Sequence, residues 1–207
     1  MAGPIYRLWL MHPREAWYRM SQEEQGAYLA KAAESFQQAG GKTIVMCVPV
    51  WSNEQWAMAG VEEFPDIDAV QAHITRLFFM GHYHRFRIFN LLGTKWPEGD
   101  ATQTMRPTRE NPIFKVWMMR PTDAWYEMSE EERNAFTARS EQILNDAGGK
   151  MIVRCACGWS NERWALFGVE EFPSIEAAQQ HAGQLTAAGH FRYSDGVSVL
   201  GTPWKAQ

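Results

Sequence analysis

Several familiar classes are excluded by what this chain does not contain. Only three cysteines are present, Cys47, Cys155 and Cys157, an odd number that builds no disulfide framework. No stretch approaches the roughly 18 uninterrupted apolar residues of a membrane span. The N-terminus lacks a charged region followed by an apolar run, so no signal peptide is expected. Basic charge is not in excess either. Lys and Arg number 20 against 24 Asp and Glu, a formal net charge of -4, whereas a nucleic-acid partner would need a basic face. A soluble, reducing, cytoplasmic setting follows as the expectation, with no nucleic-acid or membrane partner. Missing too are a Gly-rich phosphate loop, a Gly-x-Ser-x-Gly elbow and a His-Glu-x-x-His pair.

What is abundant is large and soft: ten Trp and eleven Met, which suit packed cores, a wide pocket or an extensive interface. The chain is organised around Trp51-Ser52-Asn53-Glu54-Gln55-Trp56-Ala57 and its continuation Gly60-Val61-Glu62-Glu63-Phe64-Pro65. The same pattern returns as Trp159-Ser160-Asn161-Glu162-Arg163-Trp164-Ala165 and Gly168-Val169-Glu170-Glu171-Phe172-Pro173. Every matched position lies 108 residues further on. Aligning 5–96 with 113–204 gives roughly 43 identities over 92 positions, far above chance. The chain therefore divides into a repeat at 1–96, a polar, Pro-containing linker at 97–112, and a second repeat at 113–207.

Each copy predicts the order βαββαβ. Ile5 to Met11 is apolar and of strand length. Ser21-Gln22-Glu23-Glu24 and Ser129-Glu130-Glu131-Glu132 are capping boxes that open helices, which Gly40-Gly41 and Gly148-Gly149 close. Lys42 to Trp51 and Gln55 to Glu63 form an antiparallel pair around a Ser-Asn turn. A helix from Ile67 to Phe79 follows, and a last strand from Tyr83 to Leu92, with equivalents in copy two. The fold class is α+β: two tandem ferredoxin-like units, each with both helices on one sheet face. Two bare sheet faces in one chain can cover each other, forming an internal pseudo-dimer.

Length, repeat and element order resemble the dimeric α+β barrel superfamily, with its two halves fused. The Trp-Ser-Asn-Glu-x-Trp run, Gly-Val-Glu-Glu-Phe-Pro, Phe191-Arg192-Tyr193 and Leu200-Gly201-Thr202 resemble a group that includes a protein of indole-acetic acid degradation operons. That resemblance implies a small aromatic ligand. Copy one departs from it, with Tyr83-His84-Arg85-Phe86-Arg87 in place of Phe191 to Asp195, so a site of this type is expected in copy two.

The chemistry-bearing residues recur in both copies. His73 and His181 sit on the second helix on the same face as Leu77 and Leu185. There an imidazole suits acid–base work, although a hydrogen-bonded structural histidine is the plainer reading of the position. His82 and His190 follow a helix-closing glycine and would stand at the mouth of the same cleft. Trp51, Trp56, Trp159 and Trp164 bracket the hairpin turns, where packing competes with ligand contact. In each strand pair Glu62/Glu63 and Glu170/Glu171, alternation turns one carboxylate inward. Such a group needs a cation, for which Arg7, Lys115 and Arg154 are candidates. Tyr193 could orient a ligand or donate a proton.

These residues predict a cofactor-independent enzyme of oxygenase, isomerase or lyase type. His181 and His73 would be its acid–base groups, Tyr193 an auxiliary, and the four tryptophans, His190, His82, Glu170 and Glu62 its ligand wall. No metal or cofactor is expected, and a homodimer is compatible. The alternatives are a non-catalytic carrier of an aromatic ligand, or a haem-binding or haem-degrading protein, since related barrels hold haem through a helix histidine.

Overall fold

The computed structural model describes residues 3–205. Its first half contains β1 (Ile5–Pro13), α1 (Glu15–Tyr18), α2 (Gln22–Gln38), β2 (Lys42–Val48), β3 (Met58–Phe64), α3 (Ile67–Phe79), α4 (His82–Arg85) and β4 (Phe86–Lys95). The second half repeats them as β5 (Ile113–Pro121), α5 (Asp123–Tyr126), α6 (Glu130–Asp146), β6 (Lys150–Ala156), β7 (Leu166–Phe172), α7 (Ile175–Ala187), α8 (His190–Tyr193) and β8 (Ser194–Pro203). Both expected capping boxes form: Ser21 and Ser129 accept from the backbone of Glu24 and Glu132, whose carboxylates reach back to the serine N–H.

Three local expectations need correction. The last strand of each copy starts at Phe86 and Ser194, not at Tyr83 and Phe191. Gly81 and Gly189 enter the left-handed region at φ 73° and 72°, and the chain resumes as one helical turn before extending. His82 and His190 therefore stand on short helices, not strands. The strands before the Trp-containing loops stop at Val48 and Ala156, short of the expected Trp51. At Pro49 the backbone loses its N–H donor and cannot continue a ladder. The one-turn helices α1 and α5 carry no strong sequence signal.

The eight strands close into an antiparallel barrel in the order β1-β3-β2-β8-β5-β7-β6-β4. Each ferredoxin-like sheet supplies four consecutive strands, and the bare faces cover each other as expected. The two sheets meet at seams of two residue pairs each: Cys47 with Pro203 and Val48 with Thr202, then Thr94 with Ala156 and Lys95 with Cys155. Glycine is required at both. A Cβ on Gly201 would stand 2.8 Å from the Cys47 sulfur, and one on Gly93 2.8 Å from the Ala156 carbonyl.

Strand alternation sorts the side chains. Tyr6, Leu8 and Leu10 of β1 and Phe114, Val116 and Met118 of β5 enter the barrel interior, joined by Val61, Phe167 and Val169. The intervening residues face the helices, where two smaller cores form around Phe64 with Val70 and Phe172 with Ala178. The three cysteines are buried in the interior, and burial pushes the Cys47 thiol up to about 12 and Cys157 up to about 11. No described helix is long and apolar enough to cross a membrane.

The segment joining the repeats is not a loose tether. Thr104 and Met105 donate backbone hydrogen bonds to Met151 and Ile152 of β6, at 3.1 and 2.9 Å. The side-chain oxygen of Gln103 accepts from the Arg154 N–H at 2.8 Å. Further on, Thr108 and Arg109 bind the fully buried carboxylate of Glu171.

Candidate functional site

On the helix-facing side of β5 stand Lys115, Trp117 and Met119. The indole of Trp117 lies against Gly168 of the neighbouring strand, where a Cβ would come within 2.5 Å of the ring. Above this floor, between the sheet and helices α5 to α8, is a cavity of about 480 Å³. That is within the ~300–1,000 Å³ usual for small-molecule sites. Trp125, Phe136, Leu144, Met151, Leu185 and Phe191 make its apolar walls.

Its polar end is built from Lys115, Glu170, His181, His190 and Tyr193. Lys115 Nζ pairs with Glu170 Oε2 at 3.1 Å, answering the inward carboxylate expected on β7. His181, 2% exposed, turns Nδ1 toward the same oxygen at 3.9 Å, too far to bond, and that nitrogen is buried without a partner. Burial lowers the His181 pKa to about 4, Lys115 and His190 adding to the depression and Glu170 opposing it. The imidazole is therefore neutral at pH 7. His190 is also lowered, by burial and then by Lys115, and its Nδ1 meets Ser140 Oγ at 3.4 Å. The Tyr193 ring stands edge-on to Phe136, with centroids 5.1 Å apart.

In copy one the equivalent cation, carboxylate and imidazoles are engaged, although Trp9 Nε1 and His12 Nδ1 are buried without partners. Arg7 donates to Asn90 Oδ1 at 2.8 and 3.1 Å and to Glu62 at 3.0 Å. His73 Nδ1 meets Ser35 Oγ at 3.0 Å, and His82 Nδ1 bonds the Tyr28 hydroxyl. Phe86 packs on Trp17, Tyr28 and His82. Copy two replaces Phe86, Ile88 and Ile74 by Ser194, Gly196 and Ala182, all three on the cavity wall. It also replaces Ser35 by Ile143 and Tyr28 by Phe136, which removes one imidazole's partner and weakens the other's.

His181, His190, Glu170 and Tyr193 are thus brought together, while His73, His82 and Glu62 are buried in a satisfied network in the other half. The four tryptophans expected as ligand wall are elsewhere. Trp51 and Trp159 are each 45% exposed on the loops. Trp164 is part of the barrel interior and Trp56 packs against it. Early strand termination moves these residues off the helix-facing side. The tryptophans that do line the cavity, Trp96, Trp117 and Trp125, were missed, although alternation from Lys115 would have pointed to Trp117.

No family model and no curated protein sequence matches the chain. Solved structures do. A doubly substituted chlorite dismutase from Candidatus Nitrospira defluvii superposes with a TM-score of 0.80 at 13% identity, covering 99% of this chain and 93% of that one. The same organism's enzyme in complex with imidazole gives 0.78 at 13%, covering 99% and 92%. A single-residue variant in complex with cyanide gives 0.78 at 12%, covering 99% and 92%. At such identities the likeness shows the fold alone, a closed antiparallel barrel of two four-stranded sheets with helices outside. The indole-acetic acid operon group finds no such support. The solved neighbours are chlorite dismutases, which runs against the expectation of a cofactor-independent enzyme of aromatic metabolism, and that expectation is withdrawn.

Proposed function

We propose that the second repeat is a haem site, with His181 as the imidazole that would hold the iron. One observation carries this reading: a buried, neutral histidine whose Nδ1 lacks a hydrogen-bond partner and faces a carboxylate, in the wall of a large apolar cavity. A ligating imidazole must be neutral, and its second nitrogen is ordinarily held by a carboxylate or carbonyl. With Nδ1 turned toward Glu170, Nε2 is the nitrogen left for a ligand. The donor set and the aromatic walls fit an iron porphyrin.

Haem bound here would supply a redox-active iron. The chain's own residues do the rest. Glu170 stands on the Nδ1 side of His181, Lys115 fixes Glu170, and Trp117, Phe136 and Leu185 wall the cavity beside them. Titrating hemin into the purified protein should raise a Soret band that saturates at stoichiometric haem. His181→Ala should lose or shift that band, and His73→Ala should leave it unchanged. A wild-type protein that gives no saturable Soret band removes the reading.

One observation favours a second reading, a carrier of a small aromatic metabolite. Trp117 Nε1, buried on the cavity floor without a partner like its copy-one equivalent Trp9 Nε1, would donate to a ligand's polar edge. Calorimetric binding of indole-acetic acid by a protein that ignores hemin would select this reading.

A further inference from the structure

The apolar chamber adjoins a second cleft of about 130 Å³, and Glu141, Leu144, Met151 and Arg154 line both. The rest of the cleft is polar: Thr102 and Thr104 from the connecting segment, Asn145 from α6 and Lys150 from β6. At the threshold stands Arg154. Its side chain is 12% exposed and its guanidinium lies over the Trp96 ring, 5.0 Å from the centroid. Every polar contact it makes is long: 3.3 Å to the Trp96 carbonyl, 3.4 Å to Glu141 and 3.6 Å to Asp100. Arg7–Glu62 and Arg109–Glu171, in contrast, close to 3.0 Å. The Glu141 side chain is 54% exposed, so water can replace Arg154 as its partner at small cost. Copy one has Met46 at this position and no cation there.

We propose that Arg154, with Lys150 behind it, binds an anionic group of the cavity's ligand, which is then an apolar aromatic body carrying a carboxylate. This rests on the cavity being the ligand site and adds the chemistry of its outer end. A guanidinium presents paired donors that match a carboxylate, and stacking on an indole fixes its plane. The apolar walls penalise a carboxylate set against them, and the cavity's other cation, Lys115, is already paired with Glu170. The ligand's orientation follows: acid at Arg154, ring system toward Trp117 and His181. Asp100 stays in place, held by Thr102 and Gln103, and Glu141 is the group displaced.

The test compares hemin with hemin dimethyl ester, which differs only in its neutralised carboxylates, by Soret titration and quenching of tryptophan fluorescence. Wild-type protein should bind hemin about tenfold or more tightly than the ester, the scale of one charge-assisted hydrogen bond. Arg154→Gln should weaken hemin alone and erase the difference, and Arg154→Lys should restore part of it. Equal wild-type affinity for the two compounds overturns the anion assignment and leaves the cavity reading standing. Binding of neither removes both. The wild-type comparison decides even if Arg154→Gln fails to fold.

Discussion

In the first repeat Phe86 occupies the space between Trp17, Tyr28 and His82; at the matching place in the second, Ser194 leaves a cavity open. The backbones run through the same elements, and nearly half the residues agree. What differs is a handful of side chains, and they differ together. Where copy one has bulk around His73 and His82 and a partner for each, copy two has small residues and leaves His181 Nδ1 without one. A core that only packs tends to satisfy its polar atoms. The proposed site rests on an unpartnered nitrogen that borders open volume. The duplicated fold thus holds its own comparison: copy one shows the same architecture with that space filled.

The contrast can be broken from either side. Emptying the filled half should cost most. Phe86→Ala should destabilise the protein by about 3–5 kcal/mol, measured by denaturant unfolding. It should not create hemin binding there, because Ser35 still holds His73. Filling the hollow half comes next. Ser194→Phe should lower hemin affinity by on the order of a hundredfold while leaving the melting temperature unchanged or raised, because the added ring occupies volume the ligand needs. Removing the arginine's partner follows: Asn90→Ala should cost about 1–3 kcal/mol by stranding buried donors of Arg7. Its counterpart Ser198→Ala should be near neutral. Acid sensitivity comes last because it is spread over both repeats and does not separate them. His73, His82 and His181 are held near 4, below the ordinary 6.5. The unfolded chain binds more protons between those values, so stability should be full at pH 7 and fall from about pH 6.5 toward pH 4. His181→Phe should flatten that slope in apo protein, and an unchanged slope would show that the buried imidazole does not titrate there.

Much of this architecture was legible in the sequence because it is local. The capping boxes, the glycine stops and the strand alternation each involve residues a few positions apart, and their repetition after 108 residues established two units. The closed barrel followed from two apolar faces needing cover. The Glu62 and Glu170 ion pairs followed from alternation. The cavity was harder to see. The exchange of Phe86 and Arg87 for Ser194 and Asp195 was visible, but its depth depends on Ile88, Ile74 and Tyr28, which converge only in the folded chain. The Trp-flanked loops misled for the same reason. Their conspicuous rings sit past the strand ends, and the fold turns Trp51 and Trp159 outward and Trp164 into the barrel interior.

The seams have a consequence for motion. Each joins the two sheets through only two residue pairs, whereas the pairings within a sheet run longer. Local opening should start where the ladder is shortest. Amide protons at Val48, Lys95 and their partners should then exchange with solvent sooner than those at mid-strand, so the barrel breathes along two lines that coincide with the boundary between the duplicated halves.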